Sequence, residues 1–271
     1  MTRAKPVALV TGASSGIGKA AALALVAAGF EVVGTSRNTA GVAPLDGVTF
    51  LDLDVTRDES VTGAVEQLLD RFGRIDVLVN NAGMGTTGAA EERSVGQDQR
   101  LFDTNVFGLM RMTKAVLPQM RAQGSGRIIN VSSIFGLIPG PFMAVYAASK
   151  HAVEGYSESV DHEVREHGVR VLLVEPGYTK TSFDANVGQP DAAMQVYAER
   201  RRLFEAFMAA LAEDGDEPAT VAKVIVAAAT DPKPKLRYTA GSTAGRASFL
   251  RRVVPSGVFD WQIRRFNRLP A

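Results

Sequence analysis

An α/β fold, a doubly wound parallel sheet of about seven strands with helices on both faces, is the class this 271-residue sequence predicts. Three observations predict it. Short, Val-rich, continuously apolar runs recur along the chain, as strands buried on both faces do. Longer amphipathic or Ala-rich segments alternate with them, which suits helical crossovers between parallel strands. A glycine-rich turn, Thr11-Gly12-Ala13-Ser14-Ser15-Gly16-Ile17-Gly18, joins the first such run to the first such helix.

The elements follow in order. Strands are expected at Val7–Val10, Glu31–Thr35, Val48–Leu51, Val77–Asn80, Arg127–Val131 and Arg170–Val174, with a last one at Leu236–Thr239. Helices are expected at Ile17–Ala28, stopped by Gly29, and at Glu59–Phe72, Gln97–Arg121 and Val145–His167. Two later segments, Asp191–Glu213 and Pro218–Ala229, also read as helical. There is no internal repeat and no linker, and the length suits one domain spanning 1–271.

Composition narrows the function. A net charge of +1 and the lack of a long basic run argue against nucleic acid as a partner. Without cysteine there is no disulfide framework, no thiol nucleophile and no Cys-based metal site. His151, His162 and His167 lack metalloprotease spacing, so no metal is expected. The early apolar run is too short for a signal peptide or membrane span, so a cytoplasmic protein without integral membrane association is expected.

Two features carry chemistry. Tyr146 and Lys150 lie four apart in a segment that reads as helix, hence on one face. A phenol with a pKa near ~10 is a poor proton donor or acceptor at neutral pH. An ammonium one turn away stabilises the phenolate and brings it toward the working range. The glycine turn, flanked by strand and helix, lets the backbone approach a pyrophosphate held at the helix N-terminus.

Thr11-Gly12-x-x-x-Gly16-x-Gly18, Asn80-Asn81-Ala82-Gly83 and Tyr146-x-x-x-Lys150 together resemble the short-chain dehydrogenase/reductase family, whose fold is of the Rossmann type. Ser133 lies thirteen residues before Tyr146, and Asn105 stands in Thr104-Asn105-Val106-Phe107-Gly108 as the family's helix asparagine does. Pro176-Gly177 with Thr179 and Thr181 matches the segment after the sixth strand. The likeness runs from about residue 5 to 183 and is weak beyond Asp184.

The resemblance implies hydride transfer between a nicotinamide cofactor and a carbonyl or alcohol. Tyr146 would be the acid/base, Lys150 would lower its pKa and bond the ribose, and Ser133 would hold the substrate oxygen. Asn105 would interrupt its helix and hold a water leading protons to bulk. Cofactor contacts would come from Gly12, Ser14, Ser15, Gly16, Ile17 and Gly18, from Asp54 and Val55, and from Asn81, Ala82 and Gly83. Tyr146, Lys150, Pro176, Gly177, Thr179 and Thr181 would complete them. Where NAD-preferring relatives end the second strand on an acidic residue, this chain has Ser36, followed by Arg37. A guanidinium there suits a 2′-phosphate, so NADP(H) is preferred and NAD(H) stays open.

By resemblance the substrate pocket lies along Ile134–Met143 and after Gly177. Phe135, Leu137, Ile138, Phe142, Met143 and Phe183 would line it, with Met194, Phe204, Phe207 and Met208 in a lid at 184–217. Few charges there suggest a lipophilic ketone, aldehyde or alcohol, as in hydroxysteroid- and retinol-dehydrogenase-like members. A β-ketoacyl carrier-protein reductase and a non-catalytic dinucleotide-binding sensor or scaffold are the alternatives. The extension 246–271 mixes six Arg with Phe249, Phe259, Trp261 and Phe266; it packs on its own domain, on a partner subunit or on a membrane surface. A homodimer or homotetramer is expected through Gln97–Arg121 and Val145–His167, whose apolar residues exceed what their own sheet needs.

Overall fold

Strands β1 (Val7–Val10), β2 (Glu31–Ser36), β3 (Val48–Asp52), β4 (Val77–Asn80), β5 (Gly126–Val131), β6 (Val169–Pro176) and β7 (Arg237–Ala240) form one sheet. Its order is β3-β2-β1-β4-β5-β6-β7, and every neighbouring pair is parallel. This computed structural model describes residues 5–181, 188–267 and 269. The helices are α1 (Gly16–Ala27), α2 (Asp58–Phe72), α3 (Val95–Phe102), α4 (Leu109–Gln123), α5 (Ala144–Val164), α6 (Ala198–Glu213), α7 (Pro218–Thr230), α8 (Ser242–Val253) and α9 (Ser256–Phe266).

Alternation along each strand feeds two cores. Ala8 and Val10 of β1 pack with Leu25 of α1 and Ile225 of α7 on one face. Val7 and Leu9 pack with Leu68 of α2 and with Met112 and Val116 of α4 on the other. Leu9 is wholly buried, and truncation to Ala there should cost about 2–5 kcal/mol. Burial on both faces is why β1, an inner strand of the sheet, is apolar throughout and not alternating.

Most expected elements lie within one or two residues of those observed, with two corrections and one addition. The single helix expected over Gln97–Arg121 is broken by a π-helical turn at Asp103–Gly108 between α3 and α4. At that turn Gly108 lies against Val55, where a Cβ would come within 2.7 Å of the Val55 side chain. The helix expected from Asp191 starts only at Ala198, after a 3₁₀ turn at Gln195–Tyr197. Glu92 explains the delay, because its carboxylate takes Met194 N (2.8 Å) and its carbonyl takes Ala192 N (3.0 Å). Finally, 246–267 forms most of two short helices, parted by Pro255 at the N-terminus of α9.

The sheet reverses winding between β1 and β4, and the loops leaving their carboxyl ends diverge into a crevice there. Thr11 Oγ1 accepts from Asn81 N and Ala82 N, each at 3.0 Å, while Asn81 Nδ2 donates to Thr11 O (2.9 Å) and Gly12 O (3.1 Å). These bonds fix the floor of the site.

Candidate active site

The crevice opens into a cleft of about 1450 Å³. That exceeds the ~300–1,000 Å³ of an ordinary small-molecule pocket and leaves room for a dinucleotide and a second molecule. Gly12, Ser14, Ser15, Gly16 and Ile17 form its wall at the start of α1, with no acidic side chain in that first turn. Gly12 and Gly16 have φ of 64° and 54°, the left-handed region in which a side chain is strained. Gly18 lies behind the wall, where a Cβ would come 2.2 Å from Gly12 O. The loop thus closes on the helix only because Gly18 is bare. Together these features fit a pyrophosphate resting on backbone N–H groups at a helix N-terminus.

The remaining expected cofactor residues Ser36, Arg37, Asp54, Val55, Asn81, Ala82, Gly83, Pro176, Gly177, Thr179 and Thr181 all line the same cleft. Arg37 is exposed at its edge. Burial works against the Asp54 charge, but bonds from Thr56 N (3.0 Å) and Oγ1 (2.7 Å), helped by Arg37 and Arg57, hold its carboxyl below the usual range. Asp52, facing Ser36 across the β2–β3 register, has its carboxylate engaged by Thr39 N (2.8 Å) and Oγ1 (2.7 Å).

Ser133, Tyr146 and Lys150 meet on one side of the cleft. Ser133 leaves β5 as the N-cap of a 3₁₀ turn, Ile134–Gly136, and its Oγ accepts from Phe135 N at 3.2 Å. Tyr146 and Lys150 are one turn apart on α5, with Lys150 Nζ 5.7 Å from the phenol ring centre. Lys150 Nζ donates to Val131 O (2.9 Å). Burial draws its pKa from 10.5 down to about 8, opposed by the Glu154 charge. Asn105 stands behind this group in the π turn and does not line the cleft. Its amide accepts from Met84 N (2.8 Å) and donates to Met84 O (2.9 Å) and Ser149 Oγ (3.4 Å), and Ser149 Oγ donates to Tyr146 O (2.7 Å).

The outer half of the cleft is mainly apolar, with Glu205, Arg246 and Arg265 also in its wall. Phe135, Ile138 and Met143 line it beside Tyr146, and Phe204, Phe207 and Met208 of α6 cover it. Leu137, Phe142 and Met194 are not in its wall. Phe142 adopts φ 61° and stacks on the buried Phe204, with ring centres 5.5 Å apart. Phe183 lies outside the described residues.

Two groups were not foreseen. Leu250, Phe259, Trp261, Ile263 and Phe266 of α8 and α9 close the far side, and Phe266 meets Phe207 edge-on at 5.2 Å. Phe259, Ile263 and Phe266 recur at helical spacing, a signal present in the sequence but masked by the arginines between them. The C-terminal stretch therefore packs on its own chain. Beneath Lys150, Glu154, Glu175 and Arg237 form a buried cluster drawn from α5, β6 and β7.

The sequence model of the short chain dehydrogenase family matches residues 6–192. The chain belongs to the short-chain dehydrogenase family. It is an oxidoreductase that acts on an alcohol or ketone and binds a nicotinamide dinucleotide. A 3-ketodihydrosphingosine reductase of Bacteroides thetaiotaomicron is 47% identical over 180 residues, 66% of each chain. Retinol dehydrogenase 8 of Bos taurus is 35% identical over 95% of this chain and 88% of its own. Among solved structures, a short-chain dehydrogenase from Streptomyces avermitilis superposes with a TM-score of 0.84 at 36% identity, covering 96% of this chain and 97% of that one. ElxO with NADP bound (TM-score 0.74, 26% identity) covers 90% of this chain and 100% of that one. A 3-ketoacyl-(acyl-carrier-protein) reductase from Brucella melitensis complexed with NADH (0.73, 26%) covers 86% and 96%.

Proposed function

We propose that this short-chain dehydrogenase is an NADP(H)-dependent enzyme interconverting a lipophilic carbonyl compound and its alcohol. The observation that carries the substrate class is the apolar outer cleft, in which Phe135, Ile138, Met143, Phe204 and Met208 enclose the approach to Tyr146. Phe135 contacts the Tyr146 ring edge-on at 6.1 Å, so a substrate oxygen reaching the phenol passes apolar walls. The names of two relatives accord with it, since ketodihydrosphingosine and retinol both carry long hydrocarbon parts.

A bound nicotinamide supplies or removes hydride. In reduction, the Tyr146 hydroxyl donates its proton to the substrate oxygen; in oxidation the phenolate takes it back. Ser133 Oγ hydrogen-bonds that oxygen as charge develops on it. The Lys150 ammonium favours the phenolate and supplies donors to the ribose. Asn105, by holding Met84 and Ser149, positions α5 against the loop after β4 and carries the proton path outward beside the π turn. Gly12 to Gly18, Asn81 to Gly83 and Pro176 to Thr181 would hold the dinucleotide, Ser36 and Arg37 would bind its 2′-phosphate, and Asp54 and Val55 its adenine.

Residues 5–183 would then be the catalytic core and 184–217 the lid of one domain. Assembly as a homodimer or homotetramer is supported by α5, whose exposed face is small or polar (Ala144, Ala148, His151, Gly155, Ser159), and by the exposed Phe107 beside it. The surplus apolar surface expected on α5 is absent from that face. A cytoplasmic location accords with a chain free of cysteine.

The test is NADPH oxidation over ketones, aldehydes and acyl-thioesters of increasing chain length. Long-chain ketones or aldehydes should give the highest kcat/KM. Tyr146→Phe should keep cofactor affinity and lower turnover by at least ~10²-fold. Near-wild-type turnover in that variant would overturn the mechanism, and turnover confined to carrier-linked thioesters would favour the β-ketoacyl reductase reading.

A further inference from the structure

Helices α8 and α9 carry a surface unlike the rest of the molecule. Among the described residues, eleven large apolar side chains are exposed, and six of them, Phe249, Leu250, Val253, Val258, Trp261 and Phe266, lie between residues 249 and 266. The other five are scattered from Leu23 to Val196. Arginine is interleaved with them. Residues 246 to 268 hold six Arg and one acidic residue, Asp260, so this segment is net +5 in a chain whose total is +1. The Arg251 guanidinium lies 5.0 Å from the Phe259 ring centre and that of Arg265 5.2 Å from Trp261, which keeps charge next to apolar surface.

The position of this surface is as telling as its composition. Leu250, Trp261 and Phe266 are exposed and also line the cleft, so the patch forms part of its rim. We infer that the α8–α9 face docks peripherally on an anionic lipid bilayer, setting the mouth of the cleft against the headgroup and acyl boundary. Short helices with aromatic and aliphatic side chains amid arginine lie in that boundary without crossing it. At 12 and 11 residues the two helices suit that placement, and no helix among the described residues is long and apolar enough to span a membrane.

Charge decides against a second copy of the chain. A two-fold pairing through this face would set two segments of net +5 against each other. An acidic carrier protein would answer the arginines but would leave Phe249, Val253 and Val258 facing polar surface. An anionic bilayer answers both. The inference gains its purpose from the lipophilic substrate proposed above, since the cleft would then open toward the phase in which such a substrate dissolves.

The chain's single tryptophan, Trp261, makes the test direct. The full chain, without substrate, is mixed with vesicles of phosphatidylcholine alone or with phosphatidylglycerol added, and flotation and Trp261 emission are read. Phosphatidylglycerol should strengthen binding at least ~10-fold, blue-shift the emission, and lose most of its effect at high salt, where screening shortens to about 3 Å. Phe249→Ser with Val258→Ser should abolish the blue shift, and Arg251→Gln with Arg252→Gln should reduce flotation several-fold. Both double variants should retain wild-type turnover of a short water-soluble ketone, which shows that they fold. Absence of flotation and of the emission shift would overturn the inference, as would equal binding to both vesicle types. Binding of an acidic acyl carrier protein without binding to vesicles would assign the face to a protein partner and overturn it too. Change from oligomer to monomer in the Phe249→Ser, Val258→Ser variant, with vesicle binding intact, would make the face a contact between copies. Vesicle binding is read without turnover, so failure of the lipophilic-substrate proposal would show separately in the substrate screen.

Discussion

Glu154 and Glu175 converge on one guanidinium: Arg237 Nε lies 3.1 Å from Glu154 Oε2 and 3.3 Å from Glu175 Oε1. Both carboxyls are buried, and the one cation also pairs with a third acid, the more exposed Glu158, at 3.1 Å. Burial, then repulsion from Glu154, pushes Glu175 from 4.5 up to about 7, against the pull of Arg237 and Arg252. Burial raises Glu154 as well.

A stability profile follows from Glu175. Its folded pKa is above its unfolded one, so between about pH 4.5 and pH 7 the folded chain holds a proton that the unfolded chain has released. Stability therefore falls as pH rises through that window and levels off above it. Glu175→Gln keeps the shape of the neutral acid and removes the charge. Its melting temperature should match wild type near pH 4.5 and exceed it at pH 8 by on the order of 5 °C. Equal differences at both pH values would show that Glu175 is ionised throughout.

The same cluster bears on catalysis through Lys150. Burial lowers that ammonium to about 8, and Glu154, one turn further along α5, pulls the other way. In reduction kcat/KM should fall above about pH 8, because it reports the free enzyme and Lys150 loses its charge there. Glu154→Gln removes the opposing pull and should move the fall to lower pH. A pH profile with a water-soluble ketone reads this, and superimposable profiles for the two proteins would exclude Glu154 from the control of Lys150.

Helix α6 and the turn before it are anchored by Glu92. This wholly buried carboxylate accepts from Ala89 N (2.9 Å) and Met194 N (2.8 Å) and pairs with Arg201 of α6. Burial opposes its charge, yet these bonds keep its carboxyl below the usual range. Arg201→Met leaves a buried charge short of its cation; because Arg201 is 19% exposed and two backbone N–H bonds remain, the loss should fall below the ~3–5 kcal/mol of a fully buried pair. Proteases should cut near 192–213 sooner, and KM for a lipophilic ketone should rise several-fold with cofactor affinity unchanged. Unchanged KM and protease resistance would show that packing of Phe204 and Phe207 alone holds α6.

The sheet was legible because each strand carries its own signal: an apolar run between a helix and a turn, such as Val77–Asn80, is buried on both faces. The Gly12 to Gly18 loop and the Tyr146–Lys150 pair were legible for a related reason, since their spacing is local. Other features depend on distant partners. The break at Asn105 depends on Met84, 21 residues back, and the late start of α6 on Glu92. Arg237 lies 83 residues from Glu154, and only the pairing of β6 with β7 brings it beneath α5. The role of α8 and α9 was hidden because arginines within an apolar stripe read as surface, while Phe259 and Ile263 face inward to the cleft.

Arg37 offers a test of cofactor choice. It is exposed at the edge of the cleft, next to Ser36, and the carboxylate across the register, Asp52, is engaged by Thr39. No acid therefore ends β2 to repel a 2′-phosphate, and a guanidinium stands ready to bond one. A charge-assisted hydrogen bond contributes roughly 1.5–3 kcal/mol, so wild type should bind NADPH about ten- to a hundredfold more tightly than NADH. Arg37→Ala should weaken NADPH by that factor and leave NADH nearly unchanged. Ser36→Asp should repel NADPH and give NADH a ribose acceptor, reversing the preference. Fluorescence titration of both cofactors against the three proteins decides it. Equal losses for both cofactors in Arg37→Ala would mean that the side chain shapes the loop without reading the phosphate, and tighter NADH binding by wild type would refute the assignment.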